Sequence, residues 1–202
     1  MFKFLAIPAV AVSLLAVPAQ AQETSVLFGH FKTLCGDGAG DSQRALVQAE
    51  AAGWAKVPSE LFTSDPQNPF ENVTAMMNAE DNGDLSILMV GSMSESVGPG
   101  ASEMDMTVCA VMGGNFETNT AVKPDPRPFV QRWLNMDTHP SLNDQGMMGY
   151  AFNRDGTRLT AIRPTEAAMT QAALNGDLHI VMMNDEQLLE GATMIMYMRP
   201  AF

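Results

Sequence analysis

Basic residues are scarce in this chain of 202 residues: 11 Lys and Arg stand against 23 Asp and Glu, which makes the formal net charge −12 at pH 7. Binding to nucleic acid depends on the neutralisation of phosphates by Lys and Arg, and an anionic membrane repels an acidic surface. The charge balance therefore excludes nucleic acid as a partner. Cations and basic proteins are admitted as partners, although solubility alone accounts for such a surface.

Long apolar runs are absent after the N-terminus. Phe4–Val17 is almost wholly apolar, follows Lys3 and precedes the small residues of Ala19-Gln20-Ala21. A basic start, an apolar middle and a small-residue end are typical of a secretory signal, and the run is shorter than the roughly 20 residues of a membrane span. We expect residues 1–21 to be a signal peptide and residues 22–202 to form one periplasmic or secreted domain without stable membrane insertion. An N-terminal core helix is the alternative.

Removal of such a signal would take away Lys3 and no acidic residue, which leaves ten basic against 23 acidic side chains and a formal charge of −13.

Cysteine is rarer still, with Cys35 and Cys109 alone. Their spacing excludes a Cys-x-x-Cys redox motif, and oxidising conditions outside the cytoplasm favour a structural disulfide between them. A bridge that closes so long a loop contributes about 4 kcal/mol in the chain-entropy model. Two free thiols or a metal pair are the alternatives.

Catalytic and cofactor motifs are missing as well. Gly91-Ser92-Met93-Ser94 lacks the final Gly of a nucleophile elbow, and no His-Glu-x-x-His zinc motif occurs. Residues 36–40 are Gly-rich but lack the Lys-Ser/Thr ending of a phosphate loop. No catalytic residue is assigned from the sequence, and no cofactor is expected.

The three histidines, His30, His139 and His179, are scattered along the chain. His30 and Asp37 form a conceivable acid–base pair, but no nucleophile is placed beside them. We expect His139 to lie in a loop and His179 to be a packed or exposed strand residue. A histidine close to a carboxylate and a hydroxyl in a cleft would favour an enzyme, whereas an apolar, uncharged pocket would favour binding.

Two acidic, glycine-containing segments, residues 37–41 and 80–84, cluster side-chain oxygens. Calcium takes six to eight oxygen ligands, and neither segment alone supplies them. Helix capping by Asp41 explains the first segment, and a hairpin turn at Asn82-Gly83 explains the second.

Hydrophobic periodicity and turn signals predict an α+β domain with a mainly antiparallel sheet of about seven strands, built from hairpins, and about three helices packed on it. The predicted helices are Asp41–Ala52, a helix that opens at Pro128 and stops before Pro140, and one capped by Thr165 that runs to Leu174. The predicted strands are Asn72–Ala79, Leu85–Met93, Glu103–Met112, Met147–Arg154, Thr157–Arg163, Leu178–Met183 and Ala192–Arg199. In the third strand, Cys109 alternates with the Met residues and should lie on the opposite face.

Methionine is the strongest compositional anomaly, at 17 of 202 residues. Met194, Met196 and Met198 alternate, so a strand points all three thioethers to one side. Thioethers are soft ligands that suit Cu(I). Next neighbours on one face of a strand lie about 7 Å apart, however, so shared coordination needs help from another strand. Core packing by an adaptable side chain is the simpler interpretation.

These observations favour an exported soluble protein that is non-enzymatic and binds a small ligand or a protein through one face of its sheet. The alternative is an envelope enzyme, most plausibly a hydrolase, whose site is assembled only by the fold. Copper binding through Met194, Met196 and Met198 comes third. We expect contacts at the connection from Ser92 to Ser102 and in the loop from Gly113 to Arg127.

Overall fold

A computed structural model describes residues 24–58, 70–96, 103–143, 146–184 and 191–201. The predicted signal peptide, residues 1–21, lies outside the described residues. Residues 97–102 of the expected contact connection also lie outside the described residues. None of the helices in the described ranges has both the length and the apolar character that a membrane crossing demands.

The described residues form four α-helices, two single turns of other helix types and nine strands. The helices are α1 (Val26–Phe31), α2 (Ser42–Ala51), α3 (Arg127–Leu134) and α4 (Glu166–Leu174). A π-helical turn (Lys32–Gly36) continues α1, and a 3-10 turn spans Pro140–Leu142. The strands are β1 (Ala55–Val57), β2 (Glu71–Ala79), β3 (Leu85–Ser96), β4 (Glu103–Asn115), β5 (Thr120–Ala121), β6 (Met147–Asp155), β7 (Arg158–Ala161), β8 (His179–Asn184) and β9 (Ala192–Pro200).

The strands form one sheet in the order β1-β2-β3-β4-β9-β8-β6-β7, and β5 pairs with the end of β4. All the pairs are antiparallel. The C-terminal strand β9 therefore lies between β4 and β8 and joins the two halves of the sheet. This arrangement confirms the predicted α+β class and the mainly antiparallel sheet.

The two faces of the sheet differ in their cover. The helix-covered face buries 20 residues in one cluster with α1, α2, α3 and the π-helical turn. The opposite face, which we call the methionine face, packs against α4 and Leu142. Its buried sheet residues include Met106, Val108, Ala110, Ile180, Met196 and Met198, and Met89, Met93, Met104, Met147, Met182 and Met194 are half-buried around them.

Cys35 and Cys109 form a disulfide between residues 74 positions apart in the sequence. Both are fully buried in the core of the helix-covered face, where the bridge ties the π-helical turn to the middle of β4. The predicted pairing is confirmed. The prediction that Cys109 lies opposite the Met row of β4 is confirmed too, because Met106, Val108 and Ala110 lie on the methionine face.

Local sequence signals set several element ends correctly. Asp41 caps α2, since its Oδ1 accepts a hydrogen bond from the Arg44 N–H at 2.9 Å, and Thr165 caps α4 in the same way through the Ala168 N–H at 3.3 Å. Gly83 at the β2–β3 turn has a φ of +86°, the left-handed conformation that Gly adopts without a steric cost.

Other boundaries were predicted wrongly. α1, β1 and β5 were not expected. α3 ends at Leu134 rather than near Pro140, because Asn135 adopts a left-handed conformation with a φ of +50°. β3 continues past its predicted end at Met93 to Ser96, pairing with β4 throughout, so the first residues of the expected contact connection from Ser92 to Ser102 lie in a strand.

Replacement of both cysteines by alanine should lower the free energy of unfolding by about 4 kcal/mol, because the unfolded chain is released from a loop closed across 74 positions. Urea denaturation of the oxidised protein and of the C35A/C109A variant measures the difference. A reducing agent should destabilise the wild type and leave the variant unchanged. Equal stability of the two oxidised proteins would contradict the prediction.

A second prediction compares two glycines with positive φ. A Cβ on Gly40 would lie 2.8 Å from the Tyr197 ring, whereas a Cβ on Gly53 would meet nothing within 4 Å. Gly53→Ala should cost about 1 kcal/mol through backbone strain alone. Gly40→Ala should cost about 1–3 kcal/mol more, since the buried ring must shift. The midpoints of urea unfolding test this, and equal losses would show that the contact with Tyr197 is unimportant.

Candidate functional site

A cavity of about 230 Å³ lies between the start of α1, the β2–β3 turn and the segment that follows β5. We call it the Glu80 cavity. Its apolar wall comes from Val26, Leu27 and Val122, and its polar wall consists of Ser25, Glu80, Asp81, Asn82, Asp84 and Ser86. Lys123 is the one cationic side chain among the described residues that line it. Three acidic residues and one basic residue thus line the cavity.

Glu80 is held by three side chains that all bind its Oε1 atom. His30 Nε2 lies 2.8 Å away, Asn78 Nδ2 donates at 2.9 Å and the Ser86 hydroxyl donates at 3.1 Å. An ionised carboxylate only accepts hydrogen bonds, so Nε2 carries the His30 proton at this contact. The three donors converge from α1, β2 and β3, and they fix the carboxylate at the cavity wall.

Two opposing effects act on the pKa of the Glu80 carboxyl. Partial burial raises the pKa, but the hydrogen bonds from His30, Asn78 and Ser86, together with the charge interaction with His30, outweigh burial and hold it below its ordinary value. Glu80 is therefore ionised at neutral pH, and it is a weak base.

The conceivable acid–base pair of His30 and Asp37 does not form. Asp37 accepts hydrogen bonds from Lys32 Nζ at 2.8 and 3.0 Å, whereas His30 turns to Glu80 and packs edge-on against Trp54, with the ring centroids 5.1 Å apart. His30 lies within α1, whereas Asp37 follows the π-helical turn, and each finds a partner other than the sequence neighbour. Residues 80–84 were interpreted from the sequence as a turn only.

His30, a carboxylate and a hydroxyl therefore meet at the wall of a cavity, the combination that would favour an enzyme. Nucleophilic catalysis requires the hydroxyl to donate to its base. The Ser86 hydroxyl donates to Glu80 Oε1, but the lowered pKa makes this carboxylate a weak base, and Ser86 is only 2% exposed. The geometry fixes a carboxylate and does not activate a hydroxyl.

A second polar cluster lies in the core of the helix-covered face. The Tyr197 hydroxyl and His179 Nδ1 share a hydrogen bond of 3.0 Å. Phe152 stacks on His179, with centroids 5.8 Å apart, and meets the Tyr197 ring edge-on at 6.0 Å. His179 is thus a packed strand histidine, one of the two placements expected from the sequence.

Arg154 connects this cluster to the disulfide-bearing segment. Its guanidinium donates to the carbonyl oxygens of Gly36 at 2.6 Å and Asp37 at 3.3 Å, which lie at the end of the π-helical turn. The Gly36 oxygen also accepts from the Ala39 N–H at 3.2 Å. A cation at a helix C-terminus also interacts favourably with the negative end of the helix dipole. These contacts indicate a structural role for Arg154.

Burial is the main reason why the pKa of His179 is lowered to about 4, and the charges of Arg154 and Arg199 lower it further against the opposite effect of Asp177. Burial also raises the pKa of Tyr197. Both side chains are therefore neutral near pH 7. Neither has a pKa close to 7, which general acid–base catalysis needs at that pH.

The remaining sequence candidates stay apart from these clusters. His139 lies in a loop, as expected, but is buried, and its Nε2 is 3.3 Å from the Arg163 carbonyl oxygen. The Ser92 hydroxyl contacts the Glu71 carbonyl oxygen at 3.5 Å within the β2–β3 pair, without an elbow. No group of three or more His, Cys, Asp or Glu in the described ranges is arranged to hold a metal ion.

Met194, Met196 and Met198 all lie on the methionine face, as their alternation predicts. Met196 and Met198 are buried and Met194 is half-buried. They are packed within an apolar cluster, which agrees with a core role.

The fold and the cavity define an α+β domain with an acidic pocket in the part of the chain that the structure describes. No family model matches the chain, and neither does any curated protein or solved structure.

The low pKa of His179 predicts a pH dependence of stability. Between pH 6.5 and pH 4 the unfolded chain binds a proton at His179 that the folded chain does not, so the free energy of unfolding should fall as the pH falls through this window. Above pH 6.5 both states are neutral and the contribution is constant.

The test compares urea unfolding of the wild type and of His179→Gln from pH 4 to pH 7.5. The variant keeps a polar side chain beside Tyr197 but does not titrate, so its stability should depend less on pH. An NMR titration of the His179 ring should give a midpoint near pH 4. A midpoint near the ordinary value of 6.5 would contradict the assignment.

Proposed function

We propose that this chain is an exported, disulfide-bonded binding module that holds a small amine cation in the Glu80 cavity. Export is supported by the basic, apolar and small-residue pattern of residues 1–21 together with the buried Cys35–Cys109 bridge, which persists outside the cytoplasm. The domain then works in the periplasm or outside the cell.

The observation that carries the proposal is the fixed carboxylate of Glu80. Its Oε1 atom already accepts three hydrogen bonds, so the group needs no rearrangement when a ligand arrives. Asp81 and Asp84 add negative charge at the same cavity. A ligand that carries an ammonium group complements this wall, and a preorganised partner lowers the cost of binding.

The size and the apolar wall narrow the ligand class. A volume of about 230 Å³ falls below the range of roughly 300–1,000 Å³ that drug-sized ligands occupy. Leu27 and Val122 present hydrocarbon opposite the carboxylates. A short alkyl amine or a quaternary ammonium compound matches both features. The excess of acidic residues over the whole chain also attracts cations to the surface.

The cavity lies beside the β2–β3 turn and not on a sheet face, where contacts were expected. The expected loop from Gly113 to Arg127 does contribute Val122 and Lys123 to its wall. The alternative function is an envelope hydrolase that uses His30, Glu80 and Ser86. The hydrogen bond of Ser86 argues against it, because its acceptor is a carboxylate with a lowered pKa and therefore a weak base.

Glu80→Gln tests the proposal, because it removes the charge and keeps the size of the side chain. Butylamine, tetramethylammonium and butyrate serve as probes, and amide NMR shifts report binding. The two cations should bind the wild type with shifts centred on the cavity, and butyrate should not bind. The variant should lose about tenfold or more in butylamine affinity, since a hydrogen bond to a charged group contributes roughly 1.5–3 kcal/mol. Tetramethylammonium donates no hydrogen bond and should lose less.

Glu103→Gln is the matched control, because Glu103 is exposed on β4 and does not line the cavity. It changes the net charge equally and should leave cation affinity unaltered. Equal losses of cation affinity in Glu80→Gln and Glu103→Gln would show that only the net charge of the protein matters, and would contradict the proposal. Hydrolysis of p-nitrophenyl acetate that disappears in Ser86→Ala would favour the hydrolase instead.

A further inference from the structure

The methionine face contains an arrangement of thioethers that no single strand reveals. Met194 and Met196 belong to β9, and the neighbouring strand β8 places Met182 directly opposite Met196. Directly opposed residues have Cβ atoms about 4.5–5.5 Å apart, and diagonal neighbours such as Met182 and Met194 about 7–8 Å. We call Met182, Met194 and Met196 the thioether patch. The second strand that shared coordination requires is therefore present.

Met198 does not belong to this group. Its directly opposed partners are Val108 on β4 and Ile180 on β8. Met182 is its diagonal neighbour as well, but Met198 is only 3% exposed, whereas Met194 is half-buried. Met198 packs in hydrocarbon and is a core residue. The register thus adds Met182 to the set expected from alternation along β9, and burial separates Met198 from it.

Further methionines border the patch. Met112 on β4 lies directly opposite Met194, and Met147 on β6 lies opposite Asn184, the residue two places beyond Met182. Met112, Met147, Met182 and Met194 are all half-buried. Their thioethers are flexible enough to adapt to an ion, and their partial exposure lets an ion enter from solvent.

The backbone beneath the patch is held firmly. Asn184 is 1% exposed, its Nδ2 donates to the Ala192 carbonyl oxygen at 3.1 Å, and its Oδ1 accepts from the Met194 N–H. On the β6 side, Leu142 fills the space above Gly149, where a Cβ would come within 2.5 Å of it. The backbone under the thioether patch is therefore fixed by hydrogen bonds, and Leu142 covers the patch on the β6 side.

The ligand set decides which ion fits. Thioether sulfur is soft and uncharged, so the patch does not neutralise the charge of a bound cation. A divalent ion would lose much hydration free energy in this half-buried apolar setting, and a monovalent ion loses less. A soft monovalent ion with a preference for sulfur matches these conditions, and Cu(I) and its analogue Ag(I) have both properties.

We propose that Met182, Met194 and Met196 form a binding site for a soft monovalent metal cation, Cu(I), with Met112 and Met147 as neighbours. The site is separate from the Glu80 cavity and does not depend on the amine-binding proposal. It uses residues of both β8 and β9, and it excludes Met198.

Met-to-Leu variants test the site, since Leu keeps the volume and removes the sulfur. The Cu(I) bicinchoninate complex, handled without oxygen, competes with the mature protein for the ion. Met182→Leu/Met194→Leu/Met196→Leu should weaken Cu(I) binding by about 100-fold or more, at least the cost of losing a supporting group at a metal site. Met198→Leu and Met183→Leu should bind as the wild type does. Met183 is adjacent to Met182 but lies in the core of the helix-covered face.

A second measurement uses the unmodified protein. Titration with Ag(I) of protein labelled with ¹³C in the methionine methyl groups should shift the Met182, Met194 and Met196 signals and leave Met76 and Met183 in place. Wild type that takes no Cu(I) from the competitor overturns the proposal. So does a triple variant that binds like the wild type, or an equal loss in Met198→Leu, which would show diffuse adsorption.

Discussion

The pairing of β4 with β9 is the contact on which the remaining structure depends. Cys109 of β4 lies opposite Tyr197 of β9, at the junction of two half-sheets that are far apart in the sequence. The Cys35 bridge anchors this junction to the helical layer, and Arg154 reaches the same segment through the Gly36 carbonyl. One strand pair thus connects the disulfide, the buried His179–Tyr197 contact and the methionine rows.

Polar side chains in this molecule are stabilised in different ways, according to how deeply each is buried. In the core, His179 and Tyr197 are neutral and satisfy each other, as burial of uncharged partners requires. At the cavity wall, Glu80 keeps its charge because three donors compensate for lost water. An ionised, immobilised carboxylate beside an apolar wall is what makes the Glu80 cavity a binding site in the proposal.

Elements with a local signal were predicted well and those without one were not. Asp41 and Thr165 caps, the Asn82-Gly83 turn and period-two alternation gave α2, α4, the β2–β3 hairpin and the face of Cys109. The helix α1 carries Gly29 in its middle and forms because Leu27 and Phe31 bury against the sheet. The strands β1 and β5 are too short for a periodic pattern, and only pairing with β2 and β4 creates them.

The sequence alone determines four features: the acidity, the single possible disulfide, the α+β class and the shared direction of the β9 methionines. Each is a property of composition or of neighbours along the chain. The tertiary structure alone decides that His30 binds Glu80 rather than Asp37, and that Met182 lies directly opposite Met196. Both depend on which distant segments pack together, and strand order and register are set by the burial of whole faces, which no local pattern encodes.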